Sequence, residues 1–274
     1  MSYMNALDVS RWQGDINWSA VKGSGYQIAI IKVSGGDDGL YIDSKAQQNF
    51  NQAQANGFSL GTYHFAGGTD ARAEAEYFVN ACSPLDENQV LVLDWEVQHP
   101  DPVGWCKTFI DRVKELTGTW CMIYMNGSTL NTYDWTPVTT NSGVWVAWYG
   151  TDPNADLPVK YPYIMHQYTS TGSVNGIAGN VDLDAWYYDI ETWNKYGWHA
   201  QTPAPEPPAP TPPAPEPAPE PPKPDPIPPV PPKPAPIVIN TSGNVHVNTT
   251  PKVNIFKRIW NAILYFFDIK VRKP

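Results

Sequence analysis

Short apolar runs recur through the first 200 residues, each four to six positions long and rich in β-branched and aromatic side chains. Residues 6–9, 28–33, 60–65, 90–95, 121–124, 144–148 and 164–167 predict buried strands, with 181–183 as a weaker eighth. Helical spacing falls between several of them. One helix is predicted over 42–56, ended by Gly57, and another over 103–116, ended by Gly118. A third runs to Asn80 from a cap at Thr69 or Asp70. Residues 126–143, 150–162 and 168–180 are rich in Gly, Asn, Thr and Pro, and they predict loops. Strand–helix alternation that gives way to strands joined by loops predicts an α/β fold over 1–200. The best fit is an irregular TIM-like parallel barrel whose last helices are degenerate.

Composition divides the chain at the end of this pattern. Eleven of the 12 Trp precede residue 202, whereas residues 203–236 hold 20 of the 29 Pro. Proline fixes φ and removes a donor, so 201–236 predicts a polyproline II linker, about 100 Å long at full reach. Charge divides the chain at the same place: net −12 over 1–201, −2 over 203–236 and +5 over 237–274. An acidic main domain excludes a nucleic-acid groove, which needs a basic surface. No apolar run approaches the roughly 18 residues of a membrane span. Three cysteines without CxxC spacing, and no His/Cys cluster, predict neither a disulfide scaffold nor a metal site, and no cofactor motif is present. The N-terminus has no basic and apolar leader, so synthesis in the cytoplasm is expected.

The small module 237–274 predicts a short hairpin and then a helix. Ile255, Phe256, Ile259, Trp260, Ile263, Leu264 and Phe267 fall on one stripe, flanked by Lys252, Lys257, Arg258, Lys270, Arg272 and Lys273. Such a stripe must be covered. Contact of residues 252–273 with an anionic membrane or wall polymer is one expectation, and oligomerisation through the helix is the other.

The sharpest chemical signal is Val90-Leu-Val-Leu-Asp94-Trp-Glu96. Spacing of two places Asp94 and Glu96 on one strand face, about 6–7 Å apart. In a β/α barrel, strand ends line the active site. Neighbouring carboxyls raise each other's proton affinity, so one can act as an acid while the other stays ionised, as glycosidic cleavage requires. Read alone, the pair also fits two solvated carboxylates. Asp8 at the end of the first strand and Asp182 in the last add two acids at the seam of a closed barrel. Trp12, Tyr63, Tyr124, Trp145, Trp148, Tyr149 and Tyr168 fall at or beyond strand ends, where aromatic faces can floor a saccharide cleft. Core packing is the competing reading for each. His64 and His166 read as structural histidines.

Asp8-Val-Ser-Arg-Trp-Gln-Gly14 with Ile16-Asn-Trp18, Tyr63-His-Phe-Ala66, Leu93-Asp-Trp-Glu96, Trp145-Val-Ala-Trp148 and Val181-Asp-Leu183 together resemble the family 25 glycoside hydrolases, the Chalaropsis-type lysozymes. The resemblance covers about residues 5–190. It implies a (β/α)5β3 barrel and cleavage of the β-1,4 bond from N-acetylmuramic acid to N-acetylglucosamine in peptidoglycan glycan strands. It also implies that Glu96 is the general acid, Asp94 the second carboxylate, and Asp8 and Asp182 supporting acids. Chitinase-type barrels carry Asp-x-x-Asp-x-Asp-x-Glu, whose earlier acids would fall here at Gln89 and Val92, so that reading fails. A catalytic domain, a spacer and a small module form the layout of a phage endolysin, released to the wall through a holin. A bacterial autolysin and a catalytically silent wall-binding protein are the alternatives.

Overall fold

The computed structural model describes residues 3–200. The linker expected over 201–236 and the module expected over 237–274 lie outside the described residues. In chain order the elements are β1 (Met4–Val9), α1 (Trp18–Gly23), β2 (Ile28–Gly35), β3 (Tyr41–Ile42), α2 (Ala46–Ala55), β4 (Ser59–Phe65) and α3 (Ala71–Cys82). They continue with β5 (Val90–Asp94), α4 (Pro102–Thr117), β6 (Met122–Asn126), α5 (Gly127–Thr132), α6 (Thr136–Thr139), β7 (Val144–Ala147), β8 (Met165–Gly172), β9 (Val181–Trp186) and α7 (Ile190–Tyr196).

β1 pairs in parallel with β2 and antiparallel with β9, which closes eight strands into a barrel with β3 as a short appendage to β2. Helices follow the first five barrel strands, and no helix separates β7, β8 and β9. This is the (β/α)5β3 arrangement. One expectation is corrected: the barrel is not wholly parallel, because β9 runs against both β8 and β1. The reversal matters to the site. It puts the first residues of β9 at the mouth, and Asp182 stands directly opposite Asp8.

Alternation along each strand separates two environments. Ile28, Ile30, Tyr63, Val90, Val92, Met122, Tyr124, Trp145, Met165 and Trp186 fill the barrel interior. Their sequence neighbours Ala29, Ile31, Leu91, Leu93, Ile123, Val144 and Val146 face the surrounding elements. The outer faces are covered by Phe78, Trp105, Phe109 and Trp135 on one side and by Trp18 and Phe58 on another.

Local chemistry sets the element ends. Asp70 accepts from Arg72 N and Ala73 N to start α3, and Asp101 accepts from Gly104 N ahead of Pro102 in α4. Gly118 ends α4 with φ 75°, which the missing Cβ allows. The helix predicted from residue 42 begins only at Ala46, because Tyr41–Ile42 pairs with β2 and Asp43 turns the chain. The Asp43 carboxylate accepts from Lys45 N and reaches across to Arg11 N. The loop predicted over 126–143 contains α5 and α6, since Asn126 caps Thr129 N and Pro137 falls in the first turn of α6. Cys82, Cys106 and Cys121 are buried free thiols.

Candidate active site

A cleft of about 300 Å³ opens at the mouth of the barrel. It is lined by Asp8, Trp12, Tyr63, Asp94, Glu96, Tyr124, Trp145, Tyr149 and Asp182, together with Ser10, Gln13, Lys32, Phe65 and Gln167. The strands explain the convergence. Val90 and Val92 point into the barrel, so Asp94 does too, and Trp95 turns outward to pack against Trp105 at 5.0 Å. β5 ends at Asp94, and Glu96 lies just beyond it, exposed at the rim.

Two expected members sit elsewhere, which corrects their place on the cleft floor. Trp145 and Ala147 face inward, so Trp148 faces outward, where it packs beside Gly127 and the outer core. Gln167 faces inward and Tyr168 outward, against the core that holds Val21 and Phe58. The histidines also face away from the cleft. His64 bridges Ser34 Oγ at 2.9 Å and Glu74 Oε2 at 3.0 Å, and His166 Nε2 lies 2.8 Å from the Trp148 carbonyl.

The acids share a poorly hydrated space. Asp8 and Asp94 are buried, and Asp94 Oδ1 has no hydrogen-bond partner. Burial, then the charge of Glu96, pushes Asp94 well above the ordinary carboxylate range. Burial, then Asp182, raises Asp8. Asp182 is pushed up to about 6 by burial and by Glu96. Glu96 is raised by partial loss of water, opposed by Lys32. Like charges this close cannot all be anionic, so the cluster retains protons near neutral pH.

Lys32, Gln167 and Asp184 are additions to the expected set of residues. Lys32 continues the inward face of Ile28 and Ile30, with its Nζ 4.2 Å from the Phe65 ring centroid, and it favours the ionised forms of Asp94 and Glu96. Gln167 Nε2 donates to Asp8 Oδ2 at 2.6 Å, while its Oε1 accepts from the Tyr124 and Tyr149 hydroxyls, both at 2.8 Å. One amide thus fixes an acid and two wall aromatics. At the rim, Trp12 is 77% exposed on a turn capped by Ser10, with the Arg11 guanidinium 5.1 Å from its ring centroid. An exposed indole on the edge of an acid-lined cleft is a surface suited to a pyranose face.

The sequence carries the matching family signature: residues 7–177 fit the model of glycosyl hydrolases family 25. The chain belongs to that family. It is 32% identical over 200 residues to Lysozyme M1 of Streptomyces globisporus, covering 66% of this chain and 67% of that lysozyme. The bacterial lysozyme of Streptomyces coelicolor superposes with TM-score 0.61 at 28% identity, over 72% of this chain and 98% of that one. An endolysin catalytic domain from a bacteriophage of Listeria monocytogenes superposes with TM-score 0.60 at 29% identity, over 72% and 98%. As a family 25 member the protein is a glycoside hydrolase with lysozyme-type muramidase activity on peptidoglycan.

Proposed function

We propose that this hydrolase cleaves the β-1,4 bond from N-acetylmuramic acid to N-acetylglucosamine, as a lytic enzyme of the phage endolysin kind. The observation that carries the reading is the convergence of Asp8, Asp94, Glu96 and Asp182 at one aromatic-walled barrel mouth. Glu96, at the rim, donates its proton to the glycosidic oxygen as the bond to C1 breaks. Asp94 is deeper, and its unpartnered Oδ1 suits the N–H of the substrate's 2-acetamido group. That hydrogen bond stabilises the Asp94 anion and leaves the shared proton on Glu96. The oriented acetamido oxygen then attacks C1. Glu96 next takes a proton from the water that opens the resulting ring intermediate, which restores the acid. Asp8 and Asp182 supply negative charge beside the cationic transition state and keep the Glu96 proton affinity high. Trp12, Tyr63, Tyr124, Trp145 and Tyr149 hold the sugar rings.

The likeness to a phage endolysin domain, and the spacer-plus-module layout of the sequence, support the endolysin reading. On this reading the enzyme accumulates inside the host cell and reaches the wall through a holin-type pore. Residues 252–273 then hold it to anionic membrane or wall polymer, or pair its copies. A bacterial autolysin is the second reading, favoured by 31% identity over 191 residues to the autolytic lysozyme of Clostridium acetobutylicum. Glu96→Gln tests the chemistry: kcat on peptidoglycan should fall by about 10²–10⁴, the usual worth of a general acid. Retention of activity within a few-fold would remove Glu96 from that role.

A further inference from the structure

Asp184 has no part in the mechanism above, yet it is fully buried directly beneath the cleft acids. It stands two residues along β9 from Asp182, on the same face and one layer deeper in the barrel, opposite Ala6 of β1 and Gln167 of β8. Its Oδ1 accepts from Trp145 Nε1 at 2.9 Å. Its Oδ2 is buried and makes no hydrogen bond within ordinary limits.

The surroundings of Asp184 decide its charge. Ala6 and Asp8 face it from β1, Gln167 from β8 and Trp145 from β7, with Asp182 and Trp186 on its own strand. Tyr26 and Tyr168 lie within electrostatic range. None of these is a cation. The cleft's Lys32 favours the anions of Asp94 and Glu96. An anion at this position would keep one N–H donor and two nearby acids, a costly state in a water-free interior. Asp8 differs, because its Oδ2 already receives the Gln167 amide at 2.6 Å. The two carboxyls are close enough to interact as donor and acceptor.

We propose that Asp184 is a positioning residue that keeps its proton at working pH and donates it to Asp8, so that the pair carries one negative charge, held on Asp8 at the cleft. Burial, then Asp8 and Asp182, pushes Asp184 well above the ordinary carboxylate range, whereas the hydrogen bonds from Gln167 and Asp184 oppose the rise of Asp8. Asp8 is thereby oriented from two sides, by the Gln167 amide and by the Asp184 hydroxyl. The inference deepens the proposed mechanism, and it rests on that mechanism only in giving Asp8 a place in the reaction.

The test has a spectroscopic arm that is independent of activity. Infrared difference spectra of the full chain at about pH 8, above the titration of Asp182, should contain the carbonyl band of a neutral carboxylic acid. One component of that band should be lost in Asp184→Asn and retained in Glu96→Gln and Asp94→Asn, which separates it from any proton held by the cleft acids. The Asn amide can accept from Trp145 and donate to Asp8, so Asp184→Asn should keep kcat within about threefold with an unmoved pH profile. Asp184→Leu keeps the bulk but not the donor. It should cut kcat at least tenfold and move the limb that reports Asp8 to higher pH. A band undiminished in Asp184→Asn, or missing from wild type, overturns the proposal. So does an Asp184→Asn profile displaced as it would be by loss of a charge. A failure of the muramidase reading would appear in the reaction products and leave the infrared result untouched.

Discussion

Asp182→Asn should make the protein more stable at neutral pH while making it a poorer enzyme. The Asp182 carboxyl titrates at about 6 in the folded chain against an ordinary 3.8, because burial and Glu96 both disfavour its anion. A raised folded pKa means that the native state binds the proton more tightly than the unfolded chain. Stability is therefore greatest below the unfolded value and is lost as pH rises from 3.8 to about 6. The full shift, at about 1.4 kcal/mol per unit, corresponds to about 3 kcal/mol. Asp182 is partly open to solvent and shares its shift with Glu96, so a realistic share is about 1–2 kcal/mol. Asparagine is a neutral isostere and lacks this penalty at every pH. Near pH 7 the variant should melt about 2–8 °C above wild type, and near pH 4 the two should coincide. Thermal unfolding by circular dichroism at the two pH values is the assay. A gain of equal size at both, or a variant that is less stable near pH 7, would refute the electrostatic argument. Activity should fall at the same time, since removing a negative charge beside Glu96 lowers its proton affinity and moves the basic limb of kcat/KM to lower pH.

Two further outcomes follow from the same cleft and from the sequence. Lys32→Met removes a charge that favours the anions of both Asp94 and Glu96, so the whole kcat/KM profile should move to higher pH. An unmoved profile would show that Lys32 does not act on the pair. Deleting residues 237–274 should leave hydrolysis of soluble peptidoglycan fragments unchanged but slow the lysis of whole cells, measured by turbidity. Equal loss in both assays would contradict a role in wall or membrane contact.

Strand parity makes much of the site legible in the sequence. Asp94 and Glu96 stand out because an apolar strand ends in two acids with one residue between them, and the structure brings both to the cleft. Asp8 and Asp182 follow from closure of first strand on last, although the antiparallel course of β9 had no signal in a short, weakly apolar run. Trp148 and Tyr168 lie near strand ends but on the outward parity. Counting by two from Trp145 reaches Ala147 and Tyr149 and skips Trp148, and counting from Met165 reaches Gln167 and skips Tyr168. Asp182 and Asp184 repeat the spacing of Asp94 and Glu96 on the strand that closes the seam, so the same rule finds Asp184. Lys32 was hidden in a continuous apolar run, whose two faces are both buried and give no alternation to read. Gln167 had no signal of its own, since its role arises from three partners on three other elements.

Which glycosidic bond is broken decides the function most directly. Purified peptidoglycan digested with the full chain, then reduced with borohydride and hydrolysed, reports the sugar at each new reducing end. Muramitol from N-acetylmuramic acid ends is the expected product, formed by wild type and lost in Glu96→Gln. Glucosaminitol as the new end, or release of free amines without any new reducing sugar, would contradict it.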